Sequence, residues 1–231
     1  MKRTFALVTL SILVLIALAA CTTPQPLPKV PTAIPTLIPA TLPPPTTPTP
    51  RAAFVGVTFP AQPPVAAAGQ TLYQAKCAAC HGADGKGKVD KARNFTDEDY
   101  LRGAVPVEFY QVVTQGKETM PAFKDQLSDD ERWNVTFFLW SFSVKPAALA
   151  KGKTVFDANC AACHGADGKG VIPQARKLTD TEYIASNPAT QFYQSVSGGK
   201  GIMPAWQDRL SADDRWAAIE YARAFAYQPL K

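Results

Sequence analysis

Apolar residues divide the chain into one N-terminal apolar run, a proline-rich stretch and a longer region with helical periodicity. The run extends from Phe5 to Ala20, shorter than the about 20 residues that a comfortable membrane span needs. From Thr22 to about Pro64, proline, threonine and alanine dominate, a composition that forms no packed core. Beyond residue 65 no segment shows sustained period-two alternation, so we predict an all-α structure there.

The pattern after residue 65 predicts a helix at each end of a unit of about 80 residues, a small domain by ordinary standards. The first helix runs from Ala66 to Cys77, with Gly69 and Tyr73 on one face. The last helix opens with a capping box formed by Ser128 and Glu131. Its apolar side carries three aromatic residues, Trp133, Phe137 and Trp140. Because glycine permits close approach, we predict that these two helices pack against each other.

Two shorter helices are predicted between these ends. One follows Thr96, and the other starts near Pro106, a residue type that favours the first helical position, and ends at Gly116. Long loops connect the helices.

The same pattern occurs twice. A shift of 83 positions aligns residues 69–143 with residues 152–226 without a gap. Equivalent helix signals stand at Thr179, Pro188, Gly198, Ser211 and Asp214. We therefore expect two tandem domains, residues 66–145 and residues 146–231, which are called the first repeat and the second repeat below.

Each repeat contains one Cys-Ala-Ala-Cys-His motif, and these motifs hold the only two histidines of the chain. The pattern C-x-x-C-H is the attachment signature of c-type haem, in which two thiols form thioethers with the porphyrin and the histidine binds iron. Two motifs predict two covalently bound haem c groups. The predicted attachment residues are Cys77, Cys80, Cys160 and Cys163, and the predicted iron ligands are His81 and His164.

Methionine is the best candidate for the second protein ligand of each iron, because the motifs use both histidines. The chain has three methionines, one of which is the initiator. Met120 and Met203 each stand in a Met-Pro-Ala-aromatic context, and each follows its histidine by 39 residues. We predict that they are the axial ligands. The alternative is that they are core residues, since methionine fills cores and a duplicated domain has matched core positions.

Two other uses of paired cysteines fit less well. Structural zinc sites usually separate their cysteine pairs by roughly 15 to 20 residues, whereas these pairs lie about 80 residues apart. A thioredoxin-type redox motif would lie near a βαβ pattern, which the sequence lacks, and would not need a histidine after both copies.

Residues 1–20 have the pattern of a signal peptide, with Lys2 and Arg3 before the apolar run. The run ends in Leu-Ala-Ala-Cys at Cys21, which resembles the lipobox of bacterial lipoproteins, where the cysteine is diacylated. We predict lipidation of Cys21 and a disordered Pro/Thr-rich tether over residues 21–65. The alternatives are an ordinary signal peptide with an incidental cysteine, or an uncleaved anchor. The predicted location is the membrane, on the periplasmic side or on the outer face of the cell membrane.

Charge excludes one class of partner. The formal net charge is +5, and it falls when a signal peptide with Lys2 and Arg3 is removed. Four haem propionates would roughly cancel the remainder, so nucleic acid is not an expected partner.

The order of these elements, with C-x-x-C-H closing the first helix and a Met-Pro loop before the last, resembles class I cytochrome c. The tandem resembles the diheme cytochromes made of two such domains, over roughly residues 66–228. The motifs that carry the resemblance are CAACHGADGKG in both repeats and GIMPAW in the second. Many family members have a proline whose carbonyl accepts a hydrogen bond from the ligand histidine. The first repeat has none between His81 and Pro106, so we expect another backbone carbonyl to orient the imidazole.

Ligation by histidine and methionine leaves iron no vacancy for oxygen, peroxide or substrate. We therefore expect an electron carrier and not an enzyme. The resemblance implies respiratory or photosynthetic partners, such as a quinol-oxidising complex and a cytochrome oxidase. Two alternatives stay open: a diheme peroxidase with one open iron, and the electron-accepting cytochrome subunit of a dehydrogenase.

Overall fold

The computed structural model describes residue 54 and residues 56–230. In this part of the chain the structure is helical, and β-pairing is limited to isolated bridges, so the all-α prediction is confirmed. The signal peptide predicted at 1–20, the lipidation predicted at Cys21 and most of the predicted tether lie outside the described residues. None of the helices described is long and apolar enough to cross a bilayer.

Within the described residues, each repeat contains five α-helices in the same order. Those of the first repeat are α1 (Ala66–Lys76), α2 (Ala78–His81), α3 (Glu98–Gly103), α4 (Pro106–Gln115) and α5 (Asp129–Phe138). Those of the second repeat are α6 (Pro146–Asn159), α7 (Ala161–His164), α8 (Thr181–Ala185), α9 (Ala189–Gly198) and α10 (Ala212–Arg223). A 3₁₀ turn continues each last helix, over Leu139–Phe142 and Ala224–Ala226.

The predicted caps of the two last helices are present. The backbone N–H of Glu131 donates to Ser128 Oγ over 3.3 Å, and the Glu131 carboxylate accepts from the Ser128 N–H over 2.8 Å. In the second repeat the Asp214 N–H donates to Ser211 Oγ over 3.1 Å. These bonds satisfy N–H groups that the first turn of a helix leaves free, and so fix where α5 and α10 begin.

A glycine lets the first and last helices of each repeat cross in contact, as predicted. A Cβ atom added at Gly69 would lie 2.0 Å from the carbonyl oxygen of Asn134 in α5. A Cβ atom at Gly152 would lie 2.0 Å from the carbonyl oxygen of Ala217 in α10. The obstacle is backbone in both repeats, so no side-chain rotation could make room.

A stacked tyrosine and tryptophan hold the fourth and fifth helices of each repeat together. The ring centroids of Tyr110 and Trp133 lie 4.2 Å apart, and those of Tyr193 and Trp216 lie 4.3 Å apart. A buried arginine, Arg132 or Arg215, donates to the tyrosine hydroxyl and to carbonyls of the loop that follows each methionine.

The two repeats belong to one compact unit and contact each other reciprocally. Helix α3 of the first repeat contacts α9 of the second, and α4 of the first contacts α8 of the second. Since α8 is the counterpart of α3 and α9 is the counterpart of α4, the two contacts are equivalent. The buried residues shared between the repeats form the seam cluster: Val105, Val107, Tyr110, Trp133 and Phe137 with Ile184, Ala185, Ala226 and Tyr227. The C-terminal end of the second repeat also returns to the start of the first repeat, where Ala66 N donates to the Gln228 carbonyl over 2.9 Å.

The last part of the expected tether packs on the repeats, which corrects the prediction of disorder up to residue 65. Phe54, Val57 and Phe59 contact the seam cluster, and the Phe59 ring stacks on Trp133 with centroids 5.5 Å apart. The Trp133 indole N–H donates to the Thr58 carbonyl over 2.8 Å. The physical reason is that aromatic and aliphatic residues return to the sequence here, so this segment has apolar area to bury.

Candidate haem sites

In each repeat the two motif cysteines and the histidine lie on one tight turn at the end of the first helix. The short helices α2 and α7 each end at the histidine of the motif. The Cys77 N–H donates to the Tyr73 carbonyl over 2.8 Å, which connects the motif to α1. The following loop folds back on the histidine: Gly87 N donates to the His81 carbonyl, and Gly170 N donates to the His164 carbonyl, each over 2.8 Å. The turn therefore presents all three side chains from a small, fixed piece of backbone.

The four motif cysteines are free thiols in the structure, so the close pairs are not used up in disulfides. Cys80 and Cys163 are exposed, whereas Cys77 and Cys160 are half-buried. Burial raises the pKa of Cys77 and of Cys160 to about 11, which keeps these thiols protonated at neutral pH. Each motif thus offers one thiol at the surface and one towards the domain interior.

The imidazoles of the two histidines have different surroundings. In the second repeat, Nδ1 of His164 lies 3.1 Å from the carbonyl oxygen of Arg176, a contact that directs a proton to Nδ1 and leaves Nε2 as the ligating nitrogen. In the first repeat, Nδ1 of His81 is buried, and the Arg93 carbonyl, the counterpart of that of Arg176, does not meet it in good hydrogen-bond geometry. Burial lowers the pKa of His81, and the hydrogen-bonding influence of the Arg93 backbone opposes that shift.

The two predicted methionine ligands lie in equivalent turns. Lys117 and Met120 exchange two backbone hydrogen bonds, of 2.8 Å and 3.0 Å, and Lys200 and Met203 exchange two of 3.0 Å. The glycine before each turn has a left-handed backbone, with φ of 74° and 78°, and a Cβ atom there would lie 2.6 Å or 2.8 Å from the methionine carbonyl oxygen. Met120 packs beside Val113 and Phe123 and is partly buried. The local fold therefore restrains both methionines in the same way.

Two side-chain contacts near the first site, made by Tyr73 and Phe95, escaped the sequence interpretation. The Tyr73 hydroxyl donates to the carbonyl oxygen of Gly82, directly after His81, over 2.8 Å. The Phe95 ring stacks on the His81 imidazole with centroids 5.1 Å apart. The loop that carries Phe95 is tied to the motif by a 2.7 Å bond from its N–H to the Gly85 carbonyl. The only available signal was that Phe95 and Leu178 are aligned apolar residues in the loops that follow the two motifs.

The residues of each site fit a covalent haem. A c-type haem needs two free thiols, an imidazole with its second nitrogen turned to the protein, and an apolar enclosure. Each motif supplies the thiols, and Arg176 supplies the carbonyl for His164. Around His81 the enclosure is aromatic, with Phe95 in contact with Tyr73, Phe109 and Phe142. When bound, the haem would supply one-electron chemistry at its iron.

Comparison with known proteins agrees with this geometry. The model of the family described as cytochrome c oxidase, cbb3-type, subunit III matches residues 64–139 and again residues 147–221. The chain is 35% identical over 160 residues to the cbb3-type cytochrome c oxidase subunit FixP of Azorhizobium caulinodans, covering 63% of this chain and 54% of that protein. It is 33% identical over 171 residues to the subunit CcoP of an Azospirillum species, covering 62% and 56%. The chain thus spans about half the length of these curated relatives.

Among solved structures, reduced recombinant cytochrome c4 from Pseudomonas stutzeri is 22% identical, with a TM-score of 0.26. That match covers 68% of this chain and 97% of that protein. The two family matches, one over each repeat, make the protein a diheme cytochrome c with two tandem domains and two covalent haem c groups. The chain belongs to the family of cytochrome c oxidase, cbb3-type, subunit III.

Proposed function

We propose that the chain is a membrane-tethered electron carrier that works outside the cytoplasm with both of its irons closed. The observation that carries this proposal is the equivalence of the two methionine turns, since Met120 and Met203 are held by the same backbone pairing. If each methionine binds the iron opposite its histidine, neither iron keeps a position for oxygen, peroxide or substrate. The protein then gains or loses electrons without binding a substrate at iron.

Each site residue has one role in this proposal. Cys77 and Cys80 attach the first haem, and Cys160 and Cys163 attach the second. His81 and Met120 ligate the first iron, and His164 and Met203 ligate the second. The Arg176 carbonyl holds the His164 ring in the orientation needed to bind iron. A thioether ligand favours ferrous iron, so both reduction potentials should be comparatively high among haem proteins.

The names of the relatives support a proposal for the partners. FixP and CcoP are named as subunits of a cbb3-type cytochrome c oxidase. We propose that an oxidase of this kind accepts the electrons and that a quinol-oxidising complex supplies them. Lipidation at Cys21 would keep both repeats close to these membrane complexes, which raises their effective concentration. The mass of the mature N-terminal peptide tests the lipid anchor.

Optical spectroscopy of the oxidised, haem-loaded chain tests the ligation. A methionine bound to ferric iron gives a charge-transfer band, and two closed sites should give the amplitude of two haems. Met120→Leu and Met203→Leu, which remove the thioether at nearly constant volume, should each remove half of the band. A full-chain band of half amplitude, together with a spectral change on adding peroxide, would refute the closed carrier and favour a diheme peroxidase.

A further inference from the structure

Two buried ionisable residues of the second repeat replace aromatic residues of the first. Glu220 is 7% exposed and Arg223 is 3% exposed, and the aligned residues are Phe137 and Trp140. The first repeat therefore builds the same part of the fold without an ionisable group. Because burial of a charge is costly unless the charge is well paired, the presence of this pair points to a role other than packing.

Glu220 and Arg223 compensate each other only partly. Arg223 Nη1 lies 3.9 Å from a Glu220 carboxylate oxygen, beyond hydrogen-bond distance. Arg223 Nε, Arg223 Nη1 and Trp140 Nε1 are buried without a hydrogen-bond partner among the described residues. Burial raises the pKa of Glu220 above its ordinary value. This carboxyl group therefore changes its protonation closer to neutral pH than an exposed glutamate does.

The other charged and titratable groups that face Glu220 leave it available for a proton. They lie in α10, in α3, at the start of α6 and in the C-terminal segment: Asp213, Glu98, Arg102, Lys145, Lys151 and Tyr227. Arg102 pairs with Glu98 at 3.2 Å, and Lys151 pairs with Asp214 at 2.9 Å. Two of the three cations in this set are thus neutralised by other carboxylates. Burial raises the pKa of Tyr227, so its hydroxyl stays neutral.

A cavity between the repeats connects Glu220 to solvent. Its volume is about 230 Å³, well above the roughly 15 Å³ that admits a water molecule. Glu220 and Trp140 line it together with exposed residues that include Glu98, Lys145 and Asp213. Water in this cavity would carry a proton between Glu220 and the surface.

The Glu220–Arg223 pair lies midway between the two candidate haem sites. Three residues in contact connect Arg223 to His81: Trp140, Phe109 and Phe95. Three others connect it to His164: Phe192, Tyr183 and Arg176. These side chains replace water between the pair and each site, so a change of charge at either iron is screened less at Glu220 than it would be at the surface.

We infer that Glu220 is a redox-linked proton-binding site, which takes up a proton from solvent when the carrier is reduced and releases it when the carrier is oxidised. Reduction of one iron from ferric to ferrous adds one electron from the redox donor and removes one positive charge. The Glu220 carboxylate then binds a proton from water more tightly, and on oxidation that proton returns to water. This inference rests on the proposed electron carrier and deepens it by coupling electron transfer to a proton.

Spectroelectrochemical titration of the full haem-loaded chain in detergent, at pH 5, 6, 7 and 8, tests the inference. Tighter proton binding in the reduced state makes the reduction potentials fall as pH rises. The total fall should correspond to at least threefold tighter binding, or about 28 mV at about 59 mV per tenfold change.

Glu220→Gln keeps the shape of the side chain but cannot titrate, so less than a third of this pH dependence should remain. The matched control, Asp213→Asn, removes an exposed carboxylate from the same cavity and should keep more than two thirds. The double variant Glu220→Gln with Arg223→Met removes both buried charges and replaces the single variant if the unpaired Arg223 prevents folding. Proton uptake by the unmodified chain on reduction, followed with a pH indicator in weak buffer, needs no variant.

Potentials that are independent of pH in the unmodified chain, or reduction without proton uptake, would overturn the inference. A dependence that survives in Glu220→Gln belongs to another group, such as a haem propionate, and would overturn it as well. An equal loss in Asp213→Asn would do the same, because the charge of the cavity would then be responsible. The methionine charge-transfer band is recorded in parallel. Its absence from the unmodified chain refutes the proposed carrier, whereas full bands with pH-independent potentials refute the proton site alone.

Discussion

The two repeats share their helices and several side-chain contacts, but they differ in the residues that are buried between those helices. Both use a glycine at the helix crossing, a stacked tyrosine and tryptophan, and a buried arginine. Where α5 and its 3₁₀ turn place Phe137 and Trp140, the aligned residues of α10 are Glu220 and Arg223, both buried. Duplication thus preserved the contacts that fix each haem loop, while the faces that meet at the seam diverged. Mutation of a contact that is the same in both repeats should lower the free energy of unfolding equally in both. Mutation of a contact that differs between the repeats should lower it unequally.

The helix crossing should give the largest effect, and an equal one in both repeats. Gly69→Ala and Gly152→Ala each push a methyl group to 2.0 Å from a backbone carbonyl oxygen, so the helices must separate. We expect each variant to lose about 3 kcal/mol of unfolding free energy or more, at the upper end of overpacking costs. Thermal unfolding followed by circular dichroism measures the loss.

Gly103→Ala and Gly198→Ala are the matched controls, one in each repeat. Neither glycine has an atom within 4 Å of an added Cβ, and each ends a helix. The controls should be neutral or stabilise by roughly 0.4 to 1 kcal/mol. A crossing variant as stable as these controls would show that the helices can move apart freely.

A buried charged pair of the second repeat, Glu220 with Arg223, should give the next largest loss of stability. The first repeat has no equivalent of this pair. Arg223 is 3% exposed, pairs with Glu220 at 3.9 Å, and places its guanidinium 5.8 Å from the centre of the Trp140 ring. Arg223→Met leaves the Glu220 carboxylate buried without its neighbouring cation, which should cost about 3 kcal/mol at neutral pH. Trp140→Met, the aligned change in the first repeat, removes no charge, so its cost should not depend on ionisation.

This cost should depend on pH. Burial raises the pKa of Glu220 above its ordinary value of 4.5. The positive charges of Arg223 and Arg102 act to lower this pKa, and the negative charge of Glu98 acts to raise it. A carboxyl group whose pKa is raised by folding is most favourable below pH 4.5, where it is neutral in both states. Its contribution to stability falls as pH rises through the folded pKa. Denaturation at pH 5 and pH 7 should therefore show a smaller loss for Arg223→Met at pH 5, and a constant loss would contradict this account.

Local contacts were predictable from the sequence, and contacts between distant segments were not. The caps at Ser128 and Ser211 and the crossing at Gly69 follow from residues close in sequence or from a repeated pattern. The Arg176 carbonyl that orients His164 lies in a loop without regular structure, so no periodicity indicates it. The pairing of Arg223 with Trp140 joins two positions that are equivalent in the repeat, and alignment alone gives no reason for them to meet.

The segment before α1 should give a smaller effect that has no counterpart in the second repeat. Phe59 stacks on Trp133, whereas the aligned Trp216 is covered by the Arg102 guanidinium, 4.5 Å from its ring centre. Phe59→Ala should cost about 2 kcal/mol, less than for a fully buried phenylalanine because Phe59 is only partly buried. Urea denaturation measures this, with Phe59→Leu as the control that keeps most of the apolar area. An unchanged midpoint for Phe59→Ala would mean that the segment rests on the repeats without stabilising them.

The smallest effect concerns one hydroxyl group that distinguishes the haem loops. Tyr73 is fully buried and donates to the Gly82 carbonyl, while the aligned residue in the second repeat, Phe156, has no hydroxyl to give to Gly165. Tyr73→Phe should cost about 1 kcal/mol, because a buried carbonyl next to His81 loses its partner. Phe156→Tyr adds the same group beside His164, and since the backbone of the two loops is alike, it should recover part of that amount. Guanidinium denaturation of the two single variants and the double variant measures both changes in the free energy of unfolding. Equal stability of all three would show that the hydroxyl is dispensable and that the two loops are held by their backbone bonds alone.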